Sequence, residues 1–352
     1  MKIMKKLRFL LLGAATTALL LASCGNGGKT VSGLDPVKFD TIINEKPVKL
    51  YTLTNKNKME VCITNYGGRI VSLMAKDREG ALVDVVLGYD NIAQYADTAN
   101  KSNFGATMGR NVNDTWQNEV FDAEQIDAQT LKLTLTSPDG DGSVTATAIY
   151  KLTDDNALDC TFEATSDQET VVSMSNATYF TLTGNPSQAG TNMILRIYAD
   201  KFLPIDTTFT VTGDTRDCYG SSMDFSKGRA LYQLIGDTTE QQIKIADGFD
   251  HSYLLNSYKD GKGNEQMIAA SLYAENTGIF LEIFTNEPTL HLNTANNVAN
   301  VTGKNAAAYQ KHVGVSLAAQ KMPISPKKDA PKTNLKPGET YSGHCVYRFS
   351  TK

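Results

Sequence analysis

The stretch TLKLTLTSPDGDGSVTATAIYKLTDDNALDCTFEAT, residues 130–165, decides the fold class. Leu131, Leu133 and Leu135 alternate with Lys132, Thr134 and Thr136, and Leu158, Cys160, Phe162 and Ala164 alternate with Asp159, Thr161, Glu163 and Thr165. A period of two puts one apolar face on an extended chain, because successive side chains in a strand point to opposite sides. Pro138-Asp139-Gly140-Asp141-Gly142 and Thr153-Asp154-Asp155-Asn156 supply turn residues between the runs. The Asp-Gly pairs read as a hairpin turn. Asp139 to Ser143 also opens like a calcium loop, but the distal Glu and flanking helices of such a loop are missing.

The same pattern extends outward. Ile279, Leu281 and Ile283 share one face of a run whose other face holds Phe280, Glu282 and Phe284. Asn65-Tyr66-Gly67-Gly68 and Lys336-Pro337-Gly338 mark further turns. Helical periodicity is nearly absent, with one or two turns expected over Asn91 to Thr98. No internal repeat and no Pro-rich linker divides the body. The expectation is an all-β protein, a large antiparallel β-sandwich with few short helices, as a single domain over residues 38–352.

The first residues have a different character. Lys2, Lys5, Lys6 and Arg8 precede the apolar run Phe9 to Ala22, which ends in Leu21-Ala22-Ser23-Cys24. A basic head and a short apolar run read as a secretory signal over 1–23, too short for a membrane span. Leu-Ala-Ser-Cys is similar to a bacterial lipobox, whose cysteine becomes the acylated first residue. Residues 24–37 are then expected to be a flexible tether from lipidated Cys24, holding the protein to the cell envelope, facing the periplasm. Loss of the four positive charges takes the formal charge from -4 to -8 (-4 - 4 = -8). A mildly acidic chain argues against a nucleic-acid partner. Cys62, Cys160, Cys218 and Cys345 remain, with no CxxC spacing and no metal pattern, and are expected as buried thiols. No cofactor or metal is expected.

Nine segments in order resemble the aldose 1-epimerases, or galactose mutarotases, from about Lys49 onward. They begin with Ile63-Thr64-Asn65-Tyr66-Gly67-Gly68-Arg69-Ile70, Asp84 to Tyr89, and Phe104 to Arg110. Leu152 to Leu158, Asn176-Ala177-Thr178-Tyr179-Phe180, Phe202 to Asp206 and Met223-Asp224-Phe225 follow. Gly248-Phe249-Asp250-His251 and Pro337 to Tyr341 complete the series. The resemblance implies the galactose mutarotase-like supersandwich. It also implies a chemistry in which a cyclic aldose opens and recloses at C1. A general base takes the proton of the C1 hydroxyl while a general acid protonates the ring oxygen.

Carried over position by position, most of that machinery is replaced. The family's acid His falls on Ala177 and its base Glu on Ala318. A second family His lies in a segment for which this chain has too few residues. The sugar-binding Arg falls on Asp114, and the Gln beside the Glu-Pro turn on His291. Asn113 and Asp250 match. The sugar-binding candidates are therefore Asn113, Asp114, Asp250, His251 and His291, lining an acidic cleft for a neutral hexose or glycan. Trp116 reads as core, and His312 and His344 as solvated. Three readings stay open: a carbohydrate-binding member with little or no catalysis, an active epimerase with a rearranged acid–base pair, or a structural or partner-binding envelope protein.

Overall fold

A computed structural model describes residues 28–97, 99, 102–109, 116–139, 142–324 and 334–352. Cys24, Asn113 and Asp114 lie outside the described residues. The alternating runs form the strands Thr130–Asp139, Gly142–Leu152, Ala157–Ser166 and Ile279–Thr285. The first two pair as a hairpin with Gly142 opposite Asp139. They belong to a nine-stranded antiparallel sheet, whose centre is the long strand Tyr341–Thr351 between Ile279–Thr285 and Ala157–Ser166. Burial along Ile279–Thr285 alternates as the spacing predicts.

A six-stranded antiparallel sheet carries the functional candidates. Its order is Tyr179–Phe180, Val315–Gln320, Thr289–Asn293, Asp250–Leu255, Ala199–Leu203 and Arg216–Asp217. A four-stranded sheet is built from residues 50–84. One continuous core joins all three, running from Val61 and Leu73 through Leu133 and Ala146 to Tyr253, Leu290 and Leu317. The rings of Phe180 and Tyr347 meet at 5.2 Å and tie the six-stranded sheet to the nine-stranded one. Each fully buried aliphatic side chain in this core contributes about 2 kcal/mol relative to exposure. Trp116 is buried in this core, with its indole against Gly109, where a Cβ would come within 2.4 Å.

Among the described residues the α-helices are Ile92–Ala96 and Gln241–Ala246. The former falls inside the expected Asn91 to Thr98 turns, with the Asn91 side chain accepting from the Gln94 amide as its cap. All four described cysteines are free and buried. Cys160 and Cys345 face each other across adjacent strands, and burial pushes the Cys345 thiol up to about 12.

Two expectations need correction. The flexible tether over 24–37 does not extend that far. Val31 and Ser32 donate their amides to the Glu60 carboxylate, Leu34 is buried, and Pro36–Phe39 is a short 3-10 helix capped by Asp35. An apolar residue at 34 and at 39 is enough to fold this stretch onto the body. The second correction concerns His312 and His344, which are half-buried and hydrogen-bonded instead of free in solvent. His312 Nδ1 lies 3.0 Å from the Thr294 carbonyl, and His344 sits between Asp159 at 3.1 Å and Glu265 at 3.2 Å.

Candidate functional site

The two faces of the six-stranded sheet have opposite chemistry. His251, Tyr253 and Leu255 of the Asp250–Leu255 strand, with Leu290, Leu292, Val315, Leu317 and Ala319, are buried. The alternate residues form three successive rungs on the other face. Asp250, Asn293, Ser316 and Tyr179 are cross-strand partners in the first. Ser252, His291 and Ala318 make the second, and Leu254, Thr289 and Gln320 the third.

Asp250 is aimed by the turn before it. The helix Gln241–Ala246 stops at Asp247, in the left-handed conformation at φ 52°. Gly248 follows at φ 141°, where a Cβ would fall 2.2 Å from Asn296 Oδ1, so only glycine fits. The Phe249 amide donates to Thr294 Oγ1 at 3.0 Å, and Asn296 Nδ2 donates to the Phe249 carbonyl at 3.0 Å. The chain therefore enters the strand with its register fixed.

Asp250 and His291 meet at 2.7 Å between Oδ1 and Nε2, with side chains 21% and 29% exposed. His291 Nδ1 lies 3.1 Å from Ser252 Oγ, and Gln320 Nε2 donates to the same Oγ at 3.4 Å. A carboxylate accepts only, so Nε2 carries the imidazole proton and Nδ1 accepts from the Ser252 hydroxyl. The result is a one-way chain from Gln320 through Ser252 and His291 to Asp250. Burial pushes the Asp250 pKa up, but hydrogen bonds from His291 and Asn293 more than offset it, and the carboxyl titrates below its ordinary value. Tyr179 donates to Asn293 Oδ1 at 3.2 Å. Burial and the nearby Asp250 charge push its phenol far above the usual range.

The scaffold around the two alanines is complete although their side chains are methyls. Ala177 donates its amide to Ala106 O at 2.8 Å and accepts from Gly105 N at 2.9 Å. Asn176 Nδ2 donates to Gly105 O at 2.9 Å and to Tyr150 Oη at 3.1 Å. Gly105 sits at φ 68°, where a Cβ would fall 2.0 Å from the Ile70 carbonyl oxygen, so only glycine fits. Ala318 is buried beside His291.

Of the sequence candidates, the structure brings together Asp250 and His291. His251 does not join them, which corrects its place in the cleft. Its ring is fully buried on the core side, accepting from the Asp250 amide at 3.0 Å through Nδ1 and facing Gln242 Oε1 at 3.2 Å through Nε2. Asn113 and Asp114 are outside the described residues. Ser252, Asn293, Tyr179 and Gln320 were not singled out from sequence. The signal for them was the polar residue two places from Asp250 and from His291, and the Tyr within the Asn176–Phe180 segment.

Among the described residues no cluster of three or more His, Cys, Asp or Glu suits a metal ion. A pocket of about 530 Å³ near Asp224 and Asp237 lies elsewhere. Its carboxylates are committed to their own loops, Asp237 to Thr239 and Ser222, Asp224 to Ser226, and Glu240 to Arg216.

The family model described as aldose 1-epimerase matches residues 49–114 and 114–348. The aldose 1-epimerase of Escherichia coli K12 is 28% identical over 342 residues, covering 86% of this chain and 96% of that protein. The galactose mutarotase of Bos taurus is 27% identical over 328 residues, covering 84% and 92%. Among solved structures, a GalM/aldose epimerase homologue from C. elegans superposes with a TM-score of 0.76 at 21% identity, covering 86% of this chain and 99% of that one. Galactose 1-epimerase from Lactobacillus acidophilus gives 0.75 at 23%, covering 88% and 97%.

Proposed function

The chain belongs to the aldose 1-epimerase family, and on that premise we propose that it is an envelope lipoprotein that holds a neutral hexose or glycan at the Asp250–His291 face, with mutarotation lost or strongly impaired. One observation carries this reading. The backbone that presents residues 177 and 318 is built and clamped, Asp250 is kept and aimed, yet both positions hold methyl groups. A methyl neither takes a proton from a hydroxyl nor gives one to a ring oxygen, and each such transfer supplies roughly a hundred- to ten-thousand-fold in rate. What remains at the first rung is hydrogen-bonding chemistry: the Asp250 carboxylate, the Asn293 amide and the Tyr179 hydroxyl.

The test is NMR exchange between the α and β anomers of glucose and of galactose with the purified protein. Exchange at the buffer rate is expected, alongside saturable binding. Exchange at enzymatic rates would overturn the reading.

A second reading is favoured by the 2.7 Å contact of Asp250 with His291, an acid–base pair that replaces the missing one. It requires a proton path to the sugar. Both imidazole nitrogens already have protein partners, so that path opens only after the Ser252 contact breaks. Its signature is anomer exchange that disappears in His291→Gln.

A further inference from the structure

Beyond Asp250, the same strand reaches a large open space at Leu254. A cavity of about 980 Å³ opens at the third rung, with Leu254, Tyr258, Lys321, Met322, Glu339 and Tyr341 among its walls. Rungs on one face are two residues apart, about 7 Å, so the cavity starts about 13 Å along the strand from the Asp250 rung. That separation exceeds what one pyranose ring spans. The volume is at the upper end of small-molecule sites, more than a lone hexose fills.

The chemistry of the walls narrows the occupant. Lys321 ion-pairs at 3.0 Å with the buried Glu287, and its ammonium lies 5.1 Å from the Tyr341 ring centre. The Tyr341 hydroxyl donates to Glu287 Oε1 at 2.9 Å. The cation is thus neutralised within the protein. The cavity presents the half-buried Tyr258 and Met322 beside the exposed Glu339 carboxylate and the partly exposed, neutralised Lys321. Apolar and aromatic walls with a few polar edges suit a neutral sugar, whose C–H faces pack on rings and whose hydroxyls seek polar groups. Between the two places the partly exposed side chains are His291 and Gln320, with the small Ser252, Ala318 and Thr289 buried beside them.

We propose that the cleft takes a neutral oligosaccharide, with one unit at the Asp250–Asn293 rung and later units running along the sheet face into the cavity walled by Leu254, Tyr258 and Met322. This rests on the hexose-site reading above and adds a second subsite to it.

Calorimetric titration of the full-length protein with glucose, galactose, lactose, maltotriose and cellotriose tests it. At least one trisaccharide should bind tenfold or more tighter than either monosaccharide. Tyr258→Ala should remove most of that gain, and Leu254→Trp, which fills the cavity with bulk, should remove it as well. Both variants should leave monosaccharide affinity unchanged, which also shows that they are folded. Asp250→Asn should weaken every sugar. Trisaccharides binding no tighter than monosaccharides, or cavity variants that weaken both classes equally, would overturn the subsite alone. If no sugar of any length binds, the hexose-site reading falls and the subsite with it.

Discussion

Asp250 and His291 lie diagonally across two adjacent strands and hydrogen-bond at 2.7 Å, with Ser252, the direct cross-strand partner of His291, closing the other side of the ring. This arrangement fixes the Asp250 carboxylate as acceptor and His291 Nε2 as its donor. A sugar at this face therefore meets a carboxylate that only accepts hydrogen bonds.

From that follows the first prediction. Asp250→Ala should weaken hexose binding at least tenfold by calorimetry, because the main acceptor for sugar hydroxyls is gone. His291→Gln should change it by no more than a few-fold, since an amide can still donate to Asp250. Glucuronate should not bind the parent protein, because a second carboxylate beside Asp250 is repelled. Tight glucuronate binding that vanishes in Asp250→Ala would count against the charge argument.

Rebuilding the lost pair should restore little. In Ala177→His with Ala318→Glu, the new carboxylate enters the rung that holds His291 and Ser252. It competes there with Asp250 for the imidazole proton instead of standing free for a C1 hydroxyl. Anomer exchange of galactose by NMR should rise by less than tenfold over buffer. Catalysis also needs the sugar held in one orientation, and orientation is a large share of the rate. Recovery to ordinary enzymatic turnover would mean that the remaining site already orients the sugar.

The sheets were legible because period two survives in the long strands. Leu131 to Leu135 and Ile279 to Ile283 show it without interruption. Asp250 and His291 were legible one by one, through the segments that hold them. Their contact was not, because it depends on the register that sets Ser252 opposite His291. The misplacement of His251 was avoidable. With Asp250 on the open face, alternation sends His251 inward beside Tyr253 and Leu255. The tether was overextended because Gly and Ser between 25 and 33 masked the two anchors, Leu34 and Phe39.

The inward His251 gives the protein an acid sensitivity. Burial pushes its pKa down to about 3, against 6.5 for the free side chain. The unfolded chain takes up this proton below pH 6.5 while the folded one refuses it. Stability is thus complete above pH 6.5 and falls as the pH drops towards 3, by roughly 2 kcal/mol at pH 5. Asp250, whose pKa is lowered in the fold, adds a further loss at more acidic pH. His344 works in the opposite sense. Asp159 raises its pKa, so its contribution is present at low pH and is lost as the pH rises through the folded value. The unfolding midpoint should drop by a few degrees between pH 7 and 5, and His251→Gln should flatten that slope whatever it costs at pH 7. An unchanged slope in the variant would sink this account.

The proposed anchor makes a prediction with a length in it. Thr30 is part of a closed loop, its carbonyl accepting from Gly33 and its amide donating to Leu34 O, and the next two residues hold that loop to Glu60 of the body. Thr30 lies six steps along the chain from Cys24, and a fully extended chain spans at most about 3.6 Å per residue. An acyl group on Cys24 would therefore hold the folded body within about 20 Å of the bilayer. Cys24→Ala should lose palmitate labelling and move from the membrane fraction to the soluble one. In the parent protein, a Gly/Ser insertion after Gly28 should keep the labelling while making the body more accessible to protease in intact vesicles. Glu60→Gln keeps the side-chain shape but removes the charge that the Val31 and Ser32 amides share. It should loosen the same stretch without releasing the protein. Equal palmitate labelling of Cys24→Ala would refute the anchor. Labelling that is lost while the protein stays in the membrane fraction would mean that something other than the acyl chain holds it there.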